Sequence, residues 1–187
     1  MKTIVAVVSL LLASHALCGE VCYEPQSESR FYLTLSMGEL FIAQDFTQGL
    51  WLISFGPGPN SDSWCLVDLN TNYTYLSTPA TGCKYHLYTA ESNELFGQCL
   101  PPRATEVNTG SLIDFYYQTL SIMGEEFSWV IGVTPVDGTP YYKRSVSRFE
   151  HAGVVDREVG ILADYSSTIS DPTIFNKDLS SCVDGLI

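Results

Sequence analysis

The chain has 187 residues, 45% of them hydrophobic and 12% aromatic, with 21 acidic against nine basic side chains and a formal net charge of −12. An acid excess of this size, with no basic stripe and no Lys/Arg run, speaks against a nucleic-acid partner. The length suits one domain around a single hydrophobic core, and the acidity reads first as solubility and only second as a cation-binding surface.

Residues 1–18 carry one positive charge at Lys2, an apolar run through Leu12 and small residues at Ala16 and Cys18. This is the pattern of a secretory signal peptide, too short and too interrupted at Ser14 and His15 to span about 30 Å of hydrocarbon. Cleavage after Cys18 fits better than cleavage after Gly19. It leaves a single domain at 19–187, one unit more negative for the loss of Lys2.

Short alternating runs follow. FYLTLS (31–36) sets Phe31, Leu33 and Leu35 against Tyr32, Thr34 and Ser36, a half-buried strand. ELFIAQDF (39–46) and GLWLISF (49–55) form a hairpin around Thr47 and Gln48, and GPGPNSDS (56–63) is a connector whose prolines and glycines cannot sustain a ladder. WCLVDLN, CKYHLYTA and NELFGQC make a second set of strands. Asn70 and Thr71 mark a turn, which leads into the sequon Asn72-Tyr73-Thr74, a glycan acceptor that is surface-exposed if used. Beyond Pro101 and Pro102 the same habit recurs in LIDFYYQTLSIM (112–123), FSWVIGVTP (127–135), PYYKRSVSRFE (140–150) and EVGILADYS (158–166). The tail DPTIFNKDL alone in the mature chain invites a helix, with Asp171 as cap, Pro172 in the first turn, and Ile174 and Phe175 to bury.

Nine or ten short antiparallel strands mean a large curved sheet, a barrel or a sandwich. Eleven tyrosines, nine phenylalanines and three tryptophans either fill cross-strand pairs or line a cavity. Curvature would let Trp51, Phe115, Tyr117, Trp129 and Ile131 converge on an apolar ligand pocket, with either parity of the strands facing in.

Catalytic patterns are absent. No G-x-S-x-G, H-E-x-x-H, phosphate loop or dinucleotide fingerprint occurs, and the mature chain holds two histidines, His86 and His151, of which His86 reads as an ordinary strand residue. Glu125, Glu126, Asp156, Glu158 and Asp164 do not follow EF-hand spacing, so any calcium ligands stay unassigned. The odd set Cys22, Cys65, Cys83, Cys99 and Cys182 predicts two bridges and one leftover thiol, or an intermolecular bridge and hence a homodimer, in an oxidising compartment.

EVGILADYSSTISDPTIFNKDLSSC (158–182) resembles the C-terminal signature of the ependymin family through Asp171, Pro172, Phe175 and Cys182. FSWVIGVTPVDGTPYY (127–142) is similar to the family's Trp-x-Gly-x-x-Thr segment at Trp129, Gly132 and Thr134. PPRATEV (101–107) and LVDLNT (66–71) are similar to two further pieces, in the family's order. The resemblance implies a mainly β fold, a half-open antiparallel β-barrel like that of bacterial lipoprotein carriers with few short helices. It also implies a non-enzymatic, secreted or lysosomal glycoprotein that binds a hydrophobic or lipid ligand and calcium, with dimers and cell-matrix contact among its relatives. The alternative is an acidic extracellular-matrix or adhesion protein that binds calcium without a lipid. The resemblance further implies a bridge from Cys83 to Cys182. Where the family has a cysteine before its central proline this chain has Gly138 and Thr139 before Pro140, so Cys22 is left unpaired or joined elsewhere.

Overall fold

The structure, a computed structural model, describes residues 21–34, 36–87, 96–100, 104–109, 114–122, 125–151 and 159–185, with the backbone alone described at 105–109, 114–122, 125–129 and 147–151. The leader read at 1–18 lies outside the described residues.

Among the described residues twelve strands form one open sheet: β1 Gln26–Leu33, β2 Glu39–Asp45, β3 Leu50–Ser54, β4 Trp64–Asp68, β5 Tyr73–Thr78, β6 Gly82–Leu87, β7 Thr105–Thr109, β8 Asp114–Ile122, β9 Glu125–Pro135, β10 Tyr142–His151, β11 Val159–Ser166 and β12 Val183–Asp184. Their spatial order is β12-β6-β5-β4-β3-β2-β1-β11-β10-β9-β8-β7. Every pairing is antiparallel except the last, where β12 lies parallel to β6. The fold is mainly β and half-open, as expected. NELFGQC differs: in its described part it contributes only an isolated bridge, Cys99 to Cys22. β5 begins at Tyr73, immediately after the turn that holds the sequon.

The β2–β3 hairpin turns on Asp45. Its buried carboxylate accepts from Thr47 N at 3.0 Å, Gln48 N at 3.1 Å, Gln48 Nε2 at 2.6 Å and Gln26 Nε2 at 2.9 Å, and from the Thr47 hydroxyl. Burial alone would raise its pKa, but the bonds from Thr47, Gln48 and Gln26 outweigh it and hold the group below the ordinary carboxylate value. Gly49 closes the loop at φ +67°, and a Cβ there would come within 2.9 Å of the Asn70 amide nitrogen.

Register defines two faces. Along β2, β3 and β4, Ala43, Leu52 and Leu66 share one, while Gln44, Trp51 and Val67 share the other. β3 and β10 stand four inter-strand steps apart, about 19 Å in a flat sheet. Yet the Arg144 Cζ of β10 lies 5.4 Å from the centroid of the Trp51 ring of β3. Two side chains standing off a flat sheet do not close that gap, so the sheet curls with the Trp51 face inside.

Each face has its own cover. Residues 21–24 run inside the curl, where Tyr23 N donates to Gln98 O, Leu100 N to Val21 O and Tyr142 N to Cys22 O; the Cys22–Cys99 disulfide fixes this segment. Val21, Tyr23, Leu100, Ile131 and Val133 are buried together there. The tail covers the convex face. A turn of 3₁₀ helix, Pro172–Phe175, capped by Asp171 as expected, inserts Ile174 and Phe175 against Phe41, Ala43, Leu52 and Leu66. Cys182 then bonds Cys83 across a sequence separation of 99.

Candidate functional site: the concave face

The inner face is laid out in rows set by register. One row runs Ser27, Gln44, Trp51 and Val67, all buried under the N-terminal segment. The adjacent row runs Ile42, Ile53, Cys65 and Leu76, and all four are only half-buried. A third, shorter row pairs Leu162, Phe31 and Leu40. A covered polar and aromatic row thus borders an apolar strip that the protein leaves partly open.

The covered row centres on Trp51, which is 1% exposed. Its ring packs edge-on to Phe46 at 5.8 Å and Phe96 at 5.2 Å. The Arg144 guanidinium, 8% exposed, lies between two aromatic rings, 5.2 Å from Tyr23 and 5.4 Å from Trp51, and Nη2 donates to the Tyr23 hydroxyl at 3.3 Å. In a desolvated setting such cation–π contacts are worth about 2 kcal/mol. Nearby, the Tyr165 hydroxyl donates to the buried carboxylate of Glu24. Burial first, then the hydrogen bond to Glu24 and its charge, push the Tyr165 phenol well above its usual pKa.

Of the residues expected to line a pocket, Trp51 and Ile131 are buried on this face, and Trp129 shares the parity of Ile131 in β9. Phe115 and Tyr117 lie on β8, of which the backbone alone is described; the β8–β9 ladder sets them opposite Gly132 and Val130, and Tyr116 and Gln118 opposite Ile131 and Trp129. Arg144 was not singled out by the sequence; a cation in an alternating run, YYKRSVSRF, reads as solvent-facing. A register shift between Arg144 and Val146 accompanies its burial.

Among the described residues the cysteines form Cys22–Cys99 and Cys83–Cys182, and Cys65 is the free thiol. Burial pushes the Cys65 thiol up to about 11. Asn72 is exposed in its turn at φ +59°, as a glycan acceptor requires. His86 lies on β6 with its Nδ1 buried, its ring so close to Gly185 that a Cβ there would collide with it. For the calcium implied by the resemblance, no group of three or more His, Cys, Asp or Glu side chains suited to a metal ion occurs among the described residues. Compared with models of known families and with curated proteins, the sequence finds no match.

Proposed function

We propose that the protein is a secreted, ependymin-like, non-enzymatic carrier that takes an apolar chain onto its concave face. One observation supports this above the others: the Ile42, Ile53, Cys65 and Leu76 row is apolar, half-exposed and inside the curl. It crosses three inter-strand steps, about 14 Å. Burying ten methylenes along it at about 0.8 kcal/mol each supplies about 8 kcal/mol, enough for micromolar affinity without any reactive group. Asn72 bears the glycan in this reading, and the two disulfides fit an extracellular home.

Native mass spectrometry of the protein purified from culture medium tests it. A co-purifying hydrophobe, displaced when Ile53 becomes Asp in the strip, is the expected result. A chain of bare polypeptide-plus-glycan mass, with no change in tryptophan emission on adding dodecanol or dodecanoate, overturns it.

A further inference from the structure

The convex face carries a hollow for which the carrier reading has no use. Register puts Arg30 opposite Phe41 and Glu28 opposite Ala43, so both charged side chains stand on the face that the tail covers. On β11, Asp164 lies opposite Arg30 and diagonal to Glu28. The connector between β3 and β4 borders this corner and encloses a cavity of about 250 Å³, lined among others by Glu28, Arg30, Asp164, Phe41, Pro57 and Pro59. Sites for drug-sized molecules run from about 300 to 1,000 Å³, so this one suits something smaller.

Its walls are fixed by bonds from distant parts of the chain. Lys177 Nζ of the tail donates to Pro59 O at 2.9 Å, and Ser61 Oγ to Phe55 O at 2.8 Å, which hold the connector in place. Ser170 donates from N and Oγ to Glu28 Oε2 at 3.2 and 3.0 Å, and Arg30 Nη2 donates to Asp164 Oδ2 at 2.7 Å. These bonds orient the charged groups without exhausting them. Among the described residues Arg30 spends Nη2 alone and Glu28 Oε2 alone, whereas both Asp164 oxygens are taken, the second by Tyr165 N at 3.0 Å. A cationic fork and a carboxylate oxygen, two residues and so about 7 Å apart along one strand, thus border a hollow that reaches Phe41, itself 6% exposed, between two prolines.

A simple anion would meet Glu28, and a simple cation would meet Arg30. A neutral sugar offers no charge to either. A molecule that carries both charges on one carbon, with an apolar arm, satisfies the whole lining. We infer that this cavity binds the zwitterion of a small α-amino acid with an apolar side chain, its carboxylate on Arg30, its ammonium on Glu28 and its side chain against Phe41, Pro57 and Pro59.

Isothermal titration of the full-length protein at pH 7 compares L-phenylalanine with four probes: phenethylamine, which lacks the carboxylate; 3-phenylpropanoate, which lacks the ammonium; glycine, which lacks the side chain; and D-glucose. Phenylalanine is expected to bind with a Kd of about 1 mM, weak because the charged rim is open to water, and each other probe at least about fivefold more weakly. Arg30→Met and Glu28→Gln are each expected to weaken phenylalanine by at least about fivefold, and the probe series on the unaltered protein decides the matter even where a variant does not fold. Saturating dodecanoate, directed at the concave strip, is expected to leave the titration unchanged. Equal binding of phenethylamine or 3-phenylpropanoate overturns the double charge, and equal binding of glycine overturns the apolar arm. Glucose binding ahead of phenylalanine makes this a saccharide site. Binding that ignores both substitutions, or that dodecanoate displaces, lies elsewhere, and binding of none of the five removes the ligand altogether. Each of these results overturns the inference, while the carrier reading, which rests on the opposite face, stands.

Discussion

Replacing Cys83 and Cys182 together by Ser removes the bond that straps the tail to the convex face. Both must go at once, because either one left alone is a free thiol that can bridge two chains. The loop this bond closes spans 99 residues of sequence, for which the chain-entropy relation gives about 4.7 kcal/mol of stabilisation at 25 °C. For a chain of this size each kcal/mol moves the melting temperature by roughly 2–4 °C, so the variant should melt roughly 10–20 °C lower. Urea unfolding followed by the emission of Trp51 and its companions measures the loss directly. The slope of the transition should steepen as well, since the unfolded chain without the bridge exposes more surface. Phe175→Ala supplies the comparison: it empties the 6%-exposed site beside Leu52 and Leu66, costs about 3–5 kcal/mol, and leaves that slope unchanged. A double-Ser variant that loses under 1 kcal/mol with an unaltered slope would refute the argument that the bond acts by shortening the unfolded chain.

Other consequences are as direct. Asp45 has a folded pKa below its unfolded value near 4, so its contribution is fully present above about pH 5 and fades as pH falls through the depressed value. Asp45→Asn should lose about 1–3 kcal/mol at pH 7 and show a shallower decline of stability between about pH 5 and 2 than the parent; parallel declines would contradict it. Cys65, with its thiol at about 11, should react with iodoacetamide at pH 8 roughly a hundredfold more slowly in the folded protein than in 6 M urea, and equal rates would show that it is not shielded. Thr74→Ala keeps Asn72 and its positive φ but breaks the sequon, so the protein expressed through a eukaryotic secretory pathway should lose the mass of one glycan by gel mobility; an unchanged band would mean that Asn72 is unmodified.

Much of the sheet was legible because period-two alternation marks a strand wherever one face is wetter than the other. The hairpin announced itself by Thr47, Gln48 and Gly49, and the capped tail by Asp171 and Pro172. The whole of β5, Tyr73–Thr78, was missed, hidden behind the dense turn chemistry of Asn70, Thr71 and Asn72, which ends sooner than composition suggests. Alternation also cannot say which parity faces inward. That is decided by pairing to neighbours, which sets Phe115 and Tyr117 opposite Gly132 and Val130 in the β8–β9 ladder. Arg144 stayed invisible for a related reason: its burial depends on Tyr23 and Trp51, residues 121 and 93 positions away, which only the curl of the sheet brings together.

The strap also dictates an order of events. The chain is made from its N-terminus, so β2, β3 and β4 exist long before Ile174, Phe175 and Cys182, and the Phe41–Leu66 surface must wait uncovered until nearly the last residue has emerged. A nascent chain halted before Cys182 therefore keeps an apolar surface open to aggregation, with the Cys83 thiol still without its native partner.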